Sequence, residues 1–274
     1  MNAQVEVRIL KQILGKNGDK HGIVQMIDNF SFRSFYIIVF ELLETNLYKH
    51  MKAPDFKGMH KEDLRGIATQ LLNSLAHLKK IGVIHCDLKP ENIMFTDNKK
   101  NRVKIVDFGS ACTEFKSGFH YVQSRFYRCP EIVMGLPYDQ AVDMWSFGCI
   151  LCELSTGRPI FPAQDENELL EFIKMRIGMP PLDMITTCRK RRQFFTQQNE
   201  LIRSKVSRLP SNAGARSFTV KDSLFSEADE DFINFIEVSA HSTLISCNLG
   251  MPNNRPRQTD DSRTGTEAPV DSTQ

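Results

Sequence analysis

Eight residues, His85-Cys86-Asp87-Leu88-Lys89-Pro90-Glu91-Asn92, stand between an amphipathic helical pattern and two short strand patterns. This octet constrains the chain more than any other stretch. It gathers an acid, a cation and an amide into a polar loop held between apolar segments. A carboxylate can take up a proton, and an amide oxygen is a ligand type that hard metal ions prefer.

The remaining composition sets wide bounds. The 274 residues are 41% hydrophobic and 25% charged, which is ordinary for a soluble globular protein and enough for one large domain or two lobes with a real core. A net charge of +2 is too mild to argue for nucleic acid or membrane binding. The longest apolar run, residues 35–40, falls far short of the roughly 20 residues a membrane helix needs, and no basic-then-apolar signal segment opens the chain. The 7 cysteines are odd in number and unevenly spaced, so a reduced interior is expected in place of a disulfide framework. The sequon Asn29-Phe30-Ser31 is read as chance.

Taken in order, Val5, Ile9, Leu10, Ile13 and Leu14 recur at helical spacing before Gly15, predicting a helix under way from the first residues. Glu6 lies one turn before Leu10 on the same face; its plain reading is a solvated surface acid. Residues 23–30 and 35–40 are short and apolar around Asn29, Ser31 and Ser34, which predicts a hairpin. Asn46 is placed to cap a short helix running to about Met51. Leu64, Ile67, Ala68, Leu71, Leu75 and Leu78 describe an amphipathic scaffold helix ending at Gly82. Two short strands, 93–95 and 103–106, flank a polar turn at 97–102.

A mainly helical half follows. Residues 140–154 predict a buried helix, and 166–177 another, closed by Gly178 and followed by Pro180-Pro181. The tetrad Arg189-Lys190-Arg191-Arg192 reads as a solvated face. A last amphipathic pattern covers 231–237. Beyond it the periodicity fades, and residues 252–274 have the composition of a disordered tail.

Asp107-Phe108-Gly109 directly follows the second short strand. Arg128-Cys129-Pro130-Glu131 and Asp143-Met144-Trp145-Ser146-Phe147-Gly148 come later, in that order. Four motifs at these distances resemble the signature set of eukaryotic protein kinases. Several details narrow the resemblance: Cys86 within His85-Cys86-Asp87, the run from Asp107 to Cys112, the run from Tyr121 to Arg128, and the segments Val39 to Leu43 and Asn46-Leu47-Tyr48. These resemble the dual-specificity tyrosine-regulated kinases (DYRK).

The resemblance implies an α+β, two-lobed fold, with a mostly helical large lobe over residues 44–237. Residues 1–43 would form an incomplete small lobe, and 238–274 a tail. It implies ATP and Mg²⁺ as cofactors and protein substrates as partners. Transfer would go to Ser/Thr, with tyrosine self-phosphorylation, by a monomer in the cytoplasm or nucleus. Asp87 would orient the substrate hydroxyl and accept its proton, Lys89 would neutralise phosphoryl charge, and Asn92 and Asp107 would bind magnesium. Glu41 and Leu43 would meet adenine through backbone groups, with Phe40 as gatekeeper and Met94 and Val106 bordering the base. Glu6 would be the helix acid that pairs with a strand lysine, and Leu10 would pack near Phe108. Tyr121 would be the modified activation-loop tyrosine, anchored by Arg125 and Arg128; its plain reading is a packed loop aromatic. Cys86 and Cys112 would approach one another beside the metal site, most simply as two buried unreactive thiols.

The sequence also departs from the family pattern. The 274 residues contain neither G-x-G-x-x-G nor the V-A-x-K lysine, and a Phe at 119 stands where the family carries a first tyrosine. The resemblance therefore implies a chain truncated at the small lobe and at its C-terminal end. The alternative to an active kinase is an inactive fragment that serves as a binding module.

Overall fold

Helix termini, hairpin turns and apolar faces chosen by the sequence place one continuous core behind the polar octet. The computed structural model describes residues 3–15, 21–53, 55–113, 122–207 and 209. Tyr121, Phe119, the helical pattern at 231–237 and the tail at 238–274 lie outside the described residues.

The first helix, α1 (Ala3–Leu14), buries Val7, Ile9, Leu10 and Ile13. The expected face is thus rotated slightly: Val7 is in the core while Val5 is 39% exposed. The hairpin forms as β1 (Met26–Phe32) and β2 (Phe35–Phe40), antiparallel, with Met26 opposite Phe40 and Phe32 opposite Phe35. Its first strand starts later than expected. Ile23 and Val24 are fully or almost fully buried and pair with the strand at 103–105, since Ile105 accepts the Val24 N–H and donates to the Gly22 carbonyl. Burial of two β-branched side chains draws this segment away from the hairpin and onto the larger part of the molecule.

Asn46 caps α2 (Leu47–Lys52) as its position predicts: its Oδ1 accepts the Lys49 N–H at 2.8 Å, satisfying one of the free donors of the first turn. The scaffold helix is α3 (Lys61–Lys80), longer at both ends than its apolar pattern. Its buried stripe, from Leu64 to Leu78, packs against α5 (Ala141–Thr156) and against β4 (Val103–Ile105). β4 pairs antiparallel with β3 (Ile93–Phe95), giving a second two-stranded sheet.

The large helical part is built around α5. Twelve of its residues are buried, including Trp145, Phe147 and Ile150, so it is enclosed on nearly all sides, the expected property of a helix without a polar face. The same buried cluster takes in residues of α4 (Pro130–Met134), α6 (Glu166–Arg176), α7 (Leu182–Thr187) and α8 (Arg191–Phe194). The basic tetrad is only partly solvated. Lys190 reaches Glu166 at 3.4 Å, and Arg191 donates to Asn199 at 2.7 Å, so the tetrad also holds local structure. No helix among the described residues is long and apolar enough to cross a membrane.

Candidate active site

The octet is fixed from below by α5. The Asp143 carboxylate accepts the backbone N–H of His85 at 2.7 Å and that of Cys86 at 3.0 Å. Cys86 takes φ +65, left-handed for a non-glycine residue, and these two hydrogen bonds to a charged acceptor stabilise the turn. Asp143 is buried, and burial raises its pKa against the opposing effect of those donors and of His85. The His85 ring packs edge-on against Phe108 and lies 3.0 Å from the Val106 carbonyl, tying the octet to the loop after β4.

Asp87 itself is oriented from two sides. Its Oδ2 accepts Lys89 Nζ at 2.6 Å, and its Oδ1 accepts both the N–H and the hydroxyl of Ser124 at 2.9 Å. Lys89 also reaches Ser124 Oγ at 3.2 Å. Asn92 donates its amide N–H to the Asp87 carbonyl at 2.9 Å, which leaves its side-chain oxygen without a hydrogen bond among the described residues. Asp107 adopts φ +63 and ψ +74 and accepts the Gly109 N–H; its side chain is exposed.

No three His, Cys, Asp or Glu side chains converge on one point among the described residues. A cation here would be held by one carboxylate, Asp107, one amide oxygen, Asn92, and oxygens brought by a phosphorylated ligand. That donor set suits magnesium, which keeps few protein ligands and binds with phosphate and water.

The apolar side of the site is also assembled. Phe40, Leu43 and Val106 are partly buried and pack against the core, and Met94 is half-buried on β3. The Glu41 N–H is taken by the Gln25 carbonyl, and its carboxylate holds Lys104 at 2.6 and 2.8 Å. The Glu41 carbonyl and the Leu43 N–H make no hydrogen bond among the described residues. An acceptor and a donor two residues apart, beside an apolar slot, can pair with the edge of a heteroaromatic base.

Glu6 is not the solvated acid of its plain reading. It is half-buried, and burial followed by the charge of Asp107 pushes its pKa up. Its Oε2 lies 3.8 Å from where a Cβ on Gly109 would stand, and α1 packs on the Phe108–Ser110 turn. Leu10 and Phe108 are both fully buried in the same cluster. Among the described residues Glu6 meets no cation.

Arg128 turns inward. It is 1% exposed, donates to the Gln123 carbonyl at 2.8 Å and to the Val122 carbonyl at 3.0 Å, and lies 3.3 Å from Glu166. Arg125 donates to the Gln164 carbonyl. Tyr121, the partner expected for these two arginines, lies outside the described residues. Cys86 Sγ and Cys112 Sγ are 3.7 Å apart and buried, and their contact, with burial, drives the Cys86 thiol pKa far up. The Cys86 thiol is therefore protonated and weakly reactive.

The protein kinase domain family matches residues 1–238. This chain belongs to the protein kinase family. Curated relatives are of the DYRK type. Over 220 residues it is 40% identical to the dual specificity tyrosine-phosphorylation-regulated kinase mbk-2 of Caenorhabditis elegans, covering 78% of this chain and 27% of that protein. Human dual specificity tyrosine-phosphorylation-regulated kinase 4 is 44% identical over 194 residues, 70% of this chain and 37% of that protein. The rat kinase 3 of the same name is 41% identical over 199 residues, 72% of this chain and 34% of that protein. The chain thus spans about a quarter to a third of the length of these relatives. The kinase fold and DYRK membership implied by Cys86, Cys112 and the Tyr121 to Arg128 run are borne out.

The octet brings Asp87, Lys89 and Asn92 together, and Asp107 comes beside Glu6. Sequence reasoning missed Ser124, whose hydroxyl completes the Asp87–Lys89 cluster, and gave Asp143 no role beyond its motif. Lys104 was unremarked on β4. Neither Ser124 nor Lys104 lies in a distinctive local pattern; each is identified by a tertiary contact more than 30 residues away.

Proposed function

We propose that this chain transfers the γ-phosphoryl group of ATP to serine or threonine hydroxyls of proteins and modifies its own Tyr121, using magnesium. The observation that carries the proposal is the Asp87 carboxylate, fixed between Lys89 at 2.6 Å and Ser124 at 2.9 Å. A substrate hydroxyl brought to this carboxylate is oriented for attack; Asp87 takes its proton as the new P–O bond forms, while the β–γ phosphoanhydride bond breaks and ADP leaves. Lys89 places a positive charge beside that carboxylate, where the moving phosphoryl group would be neutralised. The Glu41 carbonyl and Leu43 N–H hold the base, and Phe40, Leu43, Met94 and Val106 exclude water from its faces. When bound at Asp107 and Asn92, magnesium supplies charge neutralisation of the phosphates. Catalysis of this kind is mainly positioning and electrostatic stabilisation.

A second reading, a binding module without transfer activity, is favoured by Glu6. Its carboxylate stands beside Asp107 with no cation among the described residues. Loss of one preorganised donor costs about 10²–10³ in rate.

Calorimetric titration with ATP, with and without magnesium, separates the two. Transfer requires magnesium-dependent ATP binding that Asp107→Asn abolishes. Absence of binding in the wild-type chain at millimolar ATP would leave only the second reading.

A further inference from the structure

A cavity of about 730 Å³ opens beside the Asp87–Lys89 pair, lined among others by Asp55, Lys89, Glu91, Arg125, Glu153 and Arg158. Three of these six charges are already engaged. Lys89 holds Asp87 and Ser124, Arg125 donates to the Gln164 carbonyl, and Glu153 accepts the Tyr127 hydroxyl at 2.5 Å. Glu91 keeps one carboxylate oxygen, Oε2, buried and without a hydrogen bond among the described residues.

Arg158 differs from the other two cations. Its backbone N–H donates to the Thr156 hydroxyl, and its carbonyl accepts from that same hydroxyl. Its guanidinium is exposed and makes no hydrogen bond or ion pair among the described residues. The backbone that carries it is closely held. Gly157 caps α5 at φ +75, and a Cβ there would stand 1.6 Å from the Phe56 carbonyl oxygen. No other residue fits that junction. Arg158 is therefore a free cation projected from a fixed point into the wall of the cavity next to the reacting carboxylate.

We propose that Arg158 is a specificity-determining residue that selects an anionic side chain in the peptide segment seated in this cavity. The proposal rests on the phosphotransfer reading only for the cavity being the peptide site. An uncommitted guanidinium presents a planar fork that carboxylate and phosphate oxygens match in pairs; Lys89 is held by Asp87, and Arg125 spends one nitrogen on the Gln164 carbonyl while its Nε is buried. The selected group is a carboxylate or a phosphorylated side chain. Asp55 and Glu91 in the same cavity offset part of the field, and Arg158 is open to water, so the preference is modest: about 2–5-fold in Kd for a carboxylate. A phosphoserine, carrying about −1.5 to −2 charges, gains more.

Fluorescence-anisotropy titration of the whole chain tests this without requiring turnover. Labelled serine peptides would carry alanine, aspartate or phosphoserine at each position flanking the serine. At one flanking position the wild-type chain should bind the aspartate peptide about 2–5-fold tighter than the alanine peptide, and the phosphoserine peptide tighter still. Arg158→Ala should bring both ratios close to one, and Arg158→Glu should invert them. An aspartate ratio that matches the phosphoserine ratio would assign the site to carboxylates. Wild-type ratios of one at every position, or ratios unchanged in Arg158→Ala, would overturn the proposal. Arg158-dependent selection without any phosphate transfer would keep the subsite and defeat the catalytic reading; transfer without selection would do the reverse.

Discussion

The Asp143 carboxylate, on the buried helix α5, accepts the backbone N–H of Cys86 at 3.0 Å and so holds the octet in its left-handed turn. The same carboxylate takes the His85 N–H through its other oxygen. In Asp143→Asn one of these two oxygens becomes an NH₂ group, which cannot accept. A buried N–H left without its acceptor costs about 1–3 kcal/mol. Chemical denaturation should show a loss of that size, and hydrogen exchange should speed up at His85 or Cys86. Unchanged protection at both amides would detach Asp143 from the octet.

Ser124 predicts a kinetic effect with little change in stability. Its hydroxyl bridges Asp87 and Lys89, and Ser124→Ala removes that bridge while leaving the Ser124 N–H on Asp87. Loosened orientation of the reacting carboxylate should lower kcat on the order of 10–100-fold. The melting temperature should stay within a few degrees. Steady-state kinetics beside a thermal melt decides between this and a purely structural role.

Glu153 gives a pH dependence of stability. Burial first, opposed by the Tyr127 hydrogen bond and reinforced by Glu91, raises its pKa from 4.5 to about 7. The folded state therefore binds this proton more tightly than the unfolded chain. Its contribution is fully present below the unfolded value and is lost as pH rises through about 7. Between pH 4.5 and 7 the wild type should lose about 2–3 kcal/mol more than Glu153→Gln, whose amide oxygen still accepts the Tyr127 hydroxyl. Urea midpoints of both proteins across that range measure the difference; parallel curves would refute it.

The local elements were legible because their signals are local. The Asn46 cap, the β1–β2 hairpin and the apolar stripe of α3 each follow from residues within a few positions of one another. The octet and Asp107-Phe108-Gly109 were legible as motifs. Contacts across the chain were not. Nothing near Ile23 says that it will join Ile105 and leave the hairpin, and nothing near Ser124 says that it will bond Asp87. Glu6 could be read as surface because one helical turn does not reveal what packs on it. Nothing near Arg128 says that its guanidinium will be buried on the Val122 and Gln123 carbonyls, a placement set by the path of the chain before it.

Phosphate transfer dependent on Asp87 tests the central claim most directly. With labelled ATP, magnesium and a serine-containing protein substrate, the wild-type chain should label serine or threonine. Asp87→Asn, which keeps hydrogen-bonding shape but cannot take a proton, should reduce the rate by about 10²–10⁴. Labelling at the same rate in both proteins, or none from the wild type at saturating magnesium and ATP, would contradict the account.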